Sequence, residues 1–177
     1  MRQGRRLRVP LAMAVLVALA ATARADAPID QYVFFDMNAE TIQDQRTLLI
    51  WQRVASAETM DFYAAAEYCE ALSLATPGSG TTGWRVPSYK ELLTLVDETP
   101  HTEYVNDGLI EVWIDANAFP QTAFPQTSGP MATGLLEYWT SSLSLSAGAA
   151  YDVDFGNGNG GQEQALLPLY VRCVHDP

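Results

Sequence analysis

Only two cysteines occur in the chain, Cys69 and Cys173, and their surroundings differ. Cys69 lies in Tyr63-Ala-Ala-Ala-Glu-Tyr-Cys69-Glu-Ala-Leu72, a helical pattern. Cys173 lies in Leu169-Tyr-Val-Arg-Cys173-Val174, an extended pattern near the end of the chain. A bridge between them would tie an early helix to the last strand and close most of the domain into one ring. Such a ring would stabilise the fold by roughly 4–5 kcal/mol through loop entropy. In an exported chain a disulfide is expected ahead of a metal pair or a reactive thiol.

The N-terminus points to export. Arg2, Arg5, Arg6 and Arg8 precede the short apolar run Val9 to Ala21, which Pro10 interrupts, and Ala23-Arg24-Ala25 fits the small-x-small cleavage rule. Residues 1–25 therefore read as a signal peptide, cut before Asp26. A membrane-spanning helix needs roughly 20 apolar residues, and the run is too short for one. Arg5-Arg6 hints at the twin-arginine route, but the residues around it match poorly, so the route stays open. The expected location is periplasmic, cell-surface or secreted, without membrane insertion after cleavage.

Removing the signal leaves Arg46, Arg53, Arg85, Lys90 and Arg172 against all 21 acidic residues, a formal charge of −16. Such a surface repels nucleic acid and anionic lipid, and it favours solubility, cations or basic partners. Residues 26–177 suit one domain with a sizeable core.

Residues 26–40 read as a tether with a candidate first strand at Gln31 to Asp36. Thr41 to Thr47 is polar and turn-like, and Leu48 to Val54 is β-rich. From Asp61 to Leu72, the residues Phe62, Ala65, Ala66, Cys69 and Leu72 recur near helical spacing, with Thr59 as the expected N-cap. Thr76 to Gly83 is a loop by composition. Ser88-Tyr-Lys-Glu91, just after Pro87, is a capping box opening a second helix over about Tyr89 to Val96. Pro100 to Gly134 reads as irregular, and a long irregular segment in a compact domain is usually functional or mobile. Strands are expected at Glu137–Ser142, Ala150–Phe155 and Leu169–Val174, with Gly156 to Gly161 as the turn between the last two. In the middle strand, Tyr151, Val153 and Phe155 point one way and Asp152 and Asp154 the other. The order implies an α+β domain with its ends close together.

The same residues carry a family resemblance. Thr41-Ile-Gln-Asp44, Leu49-Ile-Trp51-Gln52, Tyr68-Cys69, Gly83-Trp84-Arg85-Val86-Pro87-Ser88 and Glu91-Leu92 come first. Phe119-Pro120, Tyr138-Trp139, Val153-Asp154-Phe155 and Tyr170-Val171-Arg172-Cys173 follow in the same order. Together they resemble the C-terminal domain of the Legionella collagen-like protein, also called the DUF1566 family, over residues 41–177. The resemblance implies a C-type-lectin-like fold, similar to formylglycine-generating enzymes. It would have two helices, a small twisted antiparallel sheet and long irregular loops. The best-known member is an adhesin on a collagen-like stalk. This chain has no Gly-X-Y repeat, and its acidity argues against binding sulfated polysaccharide.

Each singled-out residue has a structural and a functional reading. Trp51, Trp84 and Trp139 read as core. Arg85 and Arg172 read as carboxylate partners or carbonyl caps, with an anionic clamp as the functional alternative. Trp113 lies outside the core motifs, as does Asp115. A sugar-stacking role for Trp113 is the functional reading. Asp152, Asp154, Asn157 and Asn159 could supply calcium ligands, but the spacing is not an EF-hand. The sugar-binding triplets of C-type lectins are absent. The structural alternative is an exposed polar face and a tight turn.

His101 and His175 are expected in solvent, and no nucleophile elbow, zinc-protease motif or phosphate loop is present. With both cysteines committed to one bridge, formylglycine chemistry is not implied. The expected function is a non-catalytic binding or adhesion domain for a glycan or protein at the cell envelope, its ligand face formed by residues 100–134 with the 156–161 turn. The alternatives are an assembly subunit of an envelope complex and an unrecognised carboxylate hydrolase.

Overall fold

The computed structural model describes residues 27–34, 40–76, 80–105, 108–120 and 136–177. Residues 1–25, expected as a signal peptide, lie outside these residues, as do Phe124-Pro125 and Pro130.

Three strands precede the helices: β1 (Tyr32–Phe34), β2 (Thr41–Asp44) and β3 (Ile50–Gln52). They pair antiparallel in that order, and β9 (Val174–His175) completes the sheet beside β3, with Trp51 opposite Val174. First and last strands thus share one sheet. The polar Thr41–Thr47 segment, expected as a turn, is β2 as far as Asp44. Its neighbours on both sides supply the hydrogen bonds that its composition does not predict. Only the next three residues turn, held by Asp44, whose side chain accepts from the Arg46 amide (2.9 Å) and the Thr47 hydroxyl (2.7 Å).

Helix α1 (Phe62–Ala71) buries Ala65 and Cys69. Ala66 is exposed. Its N-cap is Asp61 and not Thr59: one Asp61 oxygen accepts from the amides of Tyr63 and Ala64, satisfying donors that the first turn leaves free. Helix α2 (Tyr89–Leu93) carries the expected capping box between Ser88 and Glu91. It ends earlier than expected, with Thr94 as C-cap.

Residues 101–105 and 108–112 are not irregular. They pair antiparallel as β4 (His101–Val105) and β5 (Gly108–Val112). A third sheet follows in the order β6 (Glu137–Leu143), β7 (Ala149–Asp154), β8 (Asn159–Gln164). The glycine-rich stretch is therefore only partly turn, because from Asn159 it continues as β8, paired to β7 over six positions.

The segment 169–175 joins the sheets. Leu169 bridges Met60, Tyr170 bridges Tyr138 of β6, and Val174 bridges Arg85. Only its last two described strand residues form β9, so the strand expected over Leu169–Val174 is a row of single bridges ending in a short pair. One hydrophobic cluster lies around Trp51, Phe119, Tyr138 and Phe155. The other surrounds Trp84, Trp139 and the Cys69–Cys173 disulfide, whose Cα atoms are 5.6 Å apart. The fold is mixed α+β, with two helices and small antiparallel sheets among the described residues.

Candidate functional site

Most motif residues serve the fold. Trp51 and Trp139 are fully buried and Trp84 nearly so. The Trp139 indole donates to the Met60 carbonyl at 2.9 Å. Pro87 is buried, and its carbonyl accepts from the Ser141 amide at 2.7 Å. Arg85 forks across Glu91, with nitrogens 2.9 and 2.8 Å from its two oxygens, and also reaches Asp176. The Arg85 hydrogen bond, aided by the Ser88 cap and set against burial, holds the Glu91 carboxyl at about 2. Arg172 is fully buried, donates to the Gln52 and Arg53 carbonyls, and lies against the Phe119 and Tyr138 rings. Burial lowers its pKa. It caps carbonyls and fills core space, which leaves no clamp open to an anion.

The histidines depart from expectation. His175 is buried in β9, between the Thr82 and Asp176 carbonyls and edge-on to Trp84. His101 is half-buried, 3.3 Å from Asp97.

The β7–β8 hairpin brings other singled-out residues together. The Trp113 amide donates to the Phe155 carbonyl at 2.7 Å, which sets its ring over the turn. Gly158 lies beneath it at φ +72°, and a Cβ there would come within 2.9 Å of the indole. A Cβ at Gly160, two residues on, would overlap the Tyr89 hydroxyl. Tyr89 in turn packs on Tyr151, with ring centroids 5.1 Å apart. Trp113, Tyr89 and Tyr151 are all half-buried. They form an aromatic strip in which the Trp113 ring covers Gly158 and the Tyr89 ring covers Gly160, each where a side chain would otherwise stand.

The oxygen-bearing residues of the turn serve one another. Asp154 accepts from the Gly156 amide (2.7 Å) and the Asn157 side chain (2.5 Å), while Asn157 accepts from the Asn159 amide (2.8 Å). Asp115 does the same elsewhere, accepting from the amides of Asn117 and Ala118 at 2.9 and 3.0 Å. Among the described residues, no group of three or more His, Cys, Asp or Glu is placed to hold a metal ion.

The other face of the hairpin is acidic but not exposed at its centre. Asp152 is 2% exposed, and its Oδ1 has no hydrogen-bond partner. The Glu137 Oε2 is likewise buried and unpartnered. Burial, then Asp152, Asp154 and Glu163, push Glu137 up to about 7. Burial and then Glu163 push Asp152 up to about 6. The alternation of Asp152 and Asp154 was visible in the sequence. That Glu137 lies across from Asp154, and that Glu163, opposite Ala150, shares their face, follows only from the register.

A disulfide-tied α+β domain with aromatic motifs in its core and an aromatic strip at one hairpin defines the class. Residues 40–175 match the Lcl C-terminal domain family model, and the chain belongs to that family. No curated protein and no solved structure matches it. No helix among the described residues is long and apolar enough to cross a membrane.

Proposed function

We propose that the chain is an exported, non-catalytic binding or adhesion domain with a C-type-lectin-like fold, acting at the cell envelope on a glycan or protein ligand. The observation that carries this reading is the half-buried Trp113–Tyr89–Tyr151 strip over Gly158 and Gly160. Flat, half-buried aromatic rings give a ligand ring an apolar surface to stack on. Exposed Asn159 and Gln162 at the same hairpin offer amides for hydroxyl groups. Family membership supports a surface role. Calcium is not required by this reading, since the turn oxygens are already satisfied within the protein.

Glycan and protein arrays probed with the mature domain, with and without calcium, test it. Binding is expected, and Trp113→Ala should weaken it by roughly 3- to 10-fold, the worth of one aromatic contact. Empty arrays under both conditions would overturn the reading. A stoichiometric envelope partner found by crosslinking would instead favour the assembly role, for which the exposed Leu145 and Leu166 are the supporting observation.

A further inference from the structure

We infer that the open β8 edge of the β6–β8 sheet, with the carboxylates of Glu163 and Asp152 beside it, forms a second docking surface, whose partner is an extended, lysine- or arginine-rich segment of another protein. This goes beyond the aromatic strip, which lies on the opposite side of the same hairpin.

Two independent observations carry the inference. The first is the set of carboxylates. Glu137 lies opposite Asp154 across β6 and β7, and Asp152 and Glu163 sit on the same face one and two rows further along, beside the fully buried Trp139 and Ala150. Glu163 and, across bare Gly161, Asp152 are therefore the two nearest the β8 edge. None of the four has a cationic partner among the described residues, where the ion pairs fall on Arg85 and His101. Asp152 is buried with an unpartnered oxygen, and both its oxygens lie against the bare backbone of Gly161, at 3.0 and 3.1 Å from where a Cβ would stand. A buried, unsatisfied carboxylate is costly, and a cation arriving there removes the cost.

The second is the edge. Among the described residues β8 pairs with β7 alone, so its other side is a strand edge. Its sequence is Asn-Gly-Gly-Gln-Glu-Gln, with all but Glu163 exposed. Natural edges are commonly blunted by lysine, proline or a bulge, and β8 has none of these, its six pairs to β7 running in unbroken register. An extended segment can add to such an edge through backbone hydrogen bonds.

Spacing selects the occupant. The carboxylates are spread over three strands and are not gathered round one point, which suits several basic side chains better than a single metal ion. Side chains of an added strand recur on one face about every 7 Å, the spacing along the strands of the Glu163 and Asp152 rows, while Glu137 on β6 lies beyond their reach. A second copy of this chain would bring carboxylates against carboxylates and is disfavoured by its charge. Burial raises the Asp152 carboxyl pKa, so binding should strengthen as that group ionises.

The test is fluorescence anisotropy on the mature domain with three probes: an alternating lysine–threonine peptide, its glutamate counterpart, and the lysine peptide with alternate backbone amides methylated. The lysine peptide should bind, more weakly at high salt and at acid pH, and the glutamate peptide should not. Methylation should weaken binding, because it removes edge hydrogen bonds. Glu163→Gln and Asp152→Asn should each weaken it by roughly 5- to 10-fold, as expected for a partly desolvated charge pair. Thermal melts establish that each variant is folded, and Glu163, at the half-exposed edge, is the variant safest for the fold. Equal binding of lysine and glutamate peptides overturns the inference, as does parental affinity in both folded variants. Insensitivity to methylation overturns strand addition, and self-association without peptide binding assigns the edge to a second copy. Empty glycan arrays bear on the aromatic strip alone, so the two readings fail separately.

Discussion

Glu137 and Asp152 each carry a buried oxygen that no donor reaches among the described residues. The charged groups facing them are all acidic: Asp154 and Glu163 on the same sheet, with Glu58 near the adjoining Tyr170. Raised carboxyl pKa values mean that the folded chain holds protons the unfolded chain has already released. Their contribution to stability is therefore greatest below the ordinary carboxyl range and is lost as pH rises through about 6 to 7. Glu91 has the opposite sign. Held at about 2 by Arg85, it contributes stability above the ordinary glutamate range that is lost as pH falls toward 2. The two trends place the stability maximum on the acid side of neutral. Calorimetry should find the mature domain melting higher at about pH 5 than at about pH 8. Glu137→Gln should narrow that gap by about 2–4 °C, the shift expected for about 1 kcal/mol in a domain of this size. A melting temperature that rises from acid to alkaline pH would contradict the assignment.

At the scale of elements, α2 shows how local chemistry holds a piece too short to stand alone. Five residues cannot form a stable helix in water. The Ser88 hydroxyl accepts from the Glu91 amide, the Glu91 carboxylate accepts from the Ser88 amide at 2.7 Å, and the Tyr89 amide donates to Ser142 at 3.0 Å. Ser88→Ala should lower stability by about 1 kcal/mol, read as a shifted denaturant midpoint with unchanged slope. No shift would show the cap to be redundant. This helix was legible because a capping box is a local signal, and so were α1 and β7, whose periodicities are strong. The elements that sequence reasoning missed are those made by their neighbours. β2 is polar and exists because β1 and β3 flank it, while β8 has poor strand propensity and is held by its ladder to β7. The β4–β5 hairpin sits between Pro100 and the proline-rich stretch, which masked it. Trp113 was singled out by its position outside the core motifs. Its partner Gly158 was not, because their meeting is fixed by packing between distant segments.

Across the whole molecule, the segment 169–175 is the seam. It bridges Met60, β6, β3 and Arg85, and the disulfide pins it to α1. The Cys173 amide and carbonyl are both engaged by Gln52, the amide by its side chain and the carbonyl by its backbone N–H, at 3.0 and 2.9 Å. Both cysteines are fully buried, so a reductant should reach the bond only when this seam opens. The bridge spans a separation of 104 residues, and loop entropy assigns such a ring a stabilisation of roughly 4–5 kcal/mol. Opening the ring removes a constraint on the unfolded chain without disturbing the ladder that already holds Cys173 in place. The fully reduced domain should therefore keep its fold in mild conditions but unfold at a clearly lower denaturant concentration than the oxidised form. Paired equilibrium unfolding of the two forms measures the difference, and mass mapping of the native protein should find no free thiol. Coincident unfolding curves would show that the sheets alone close the seam.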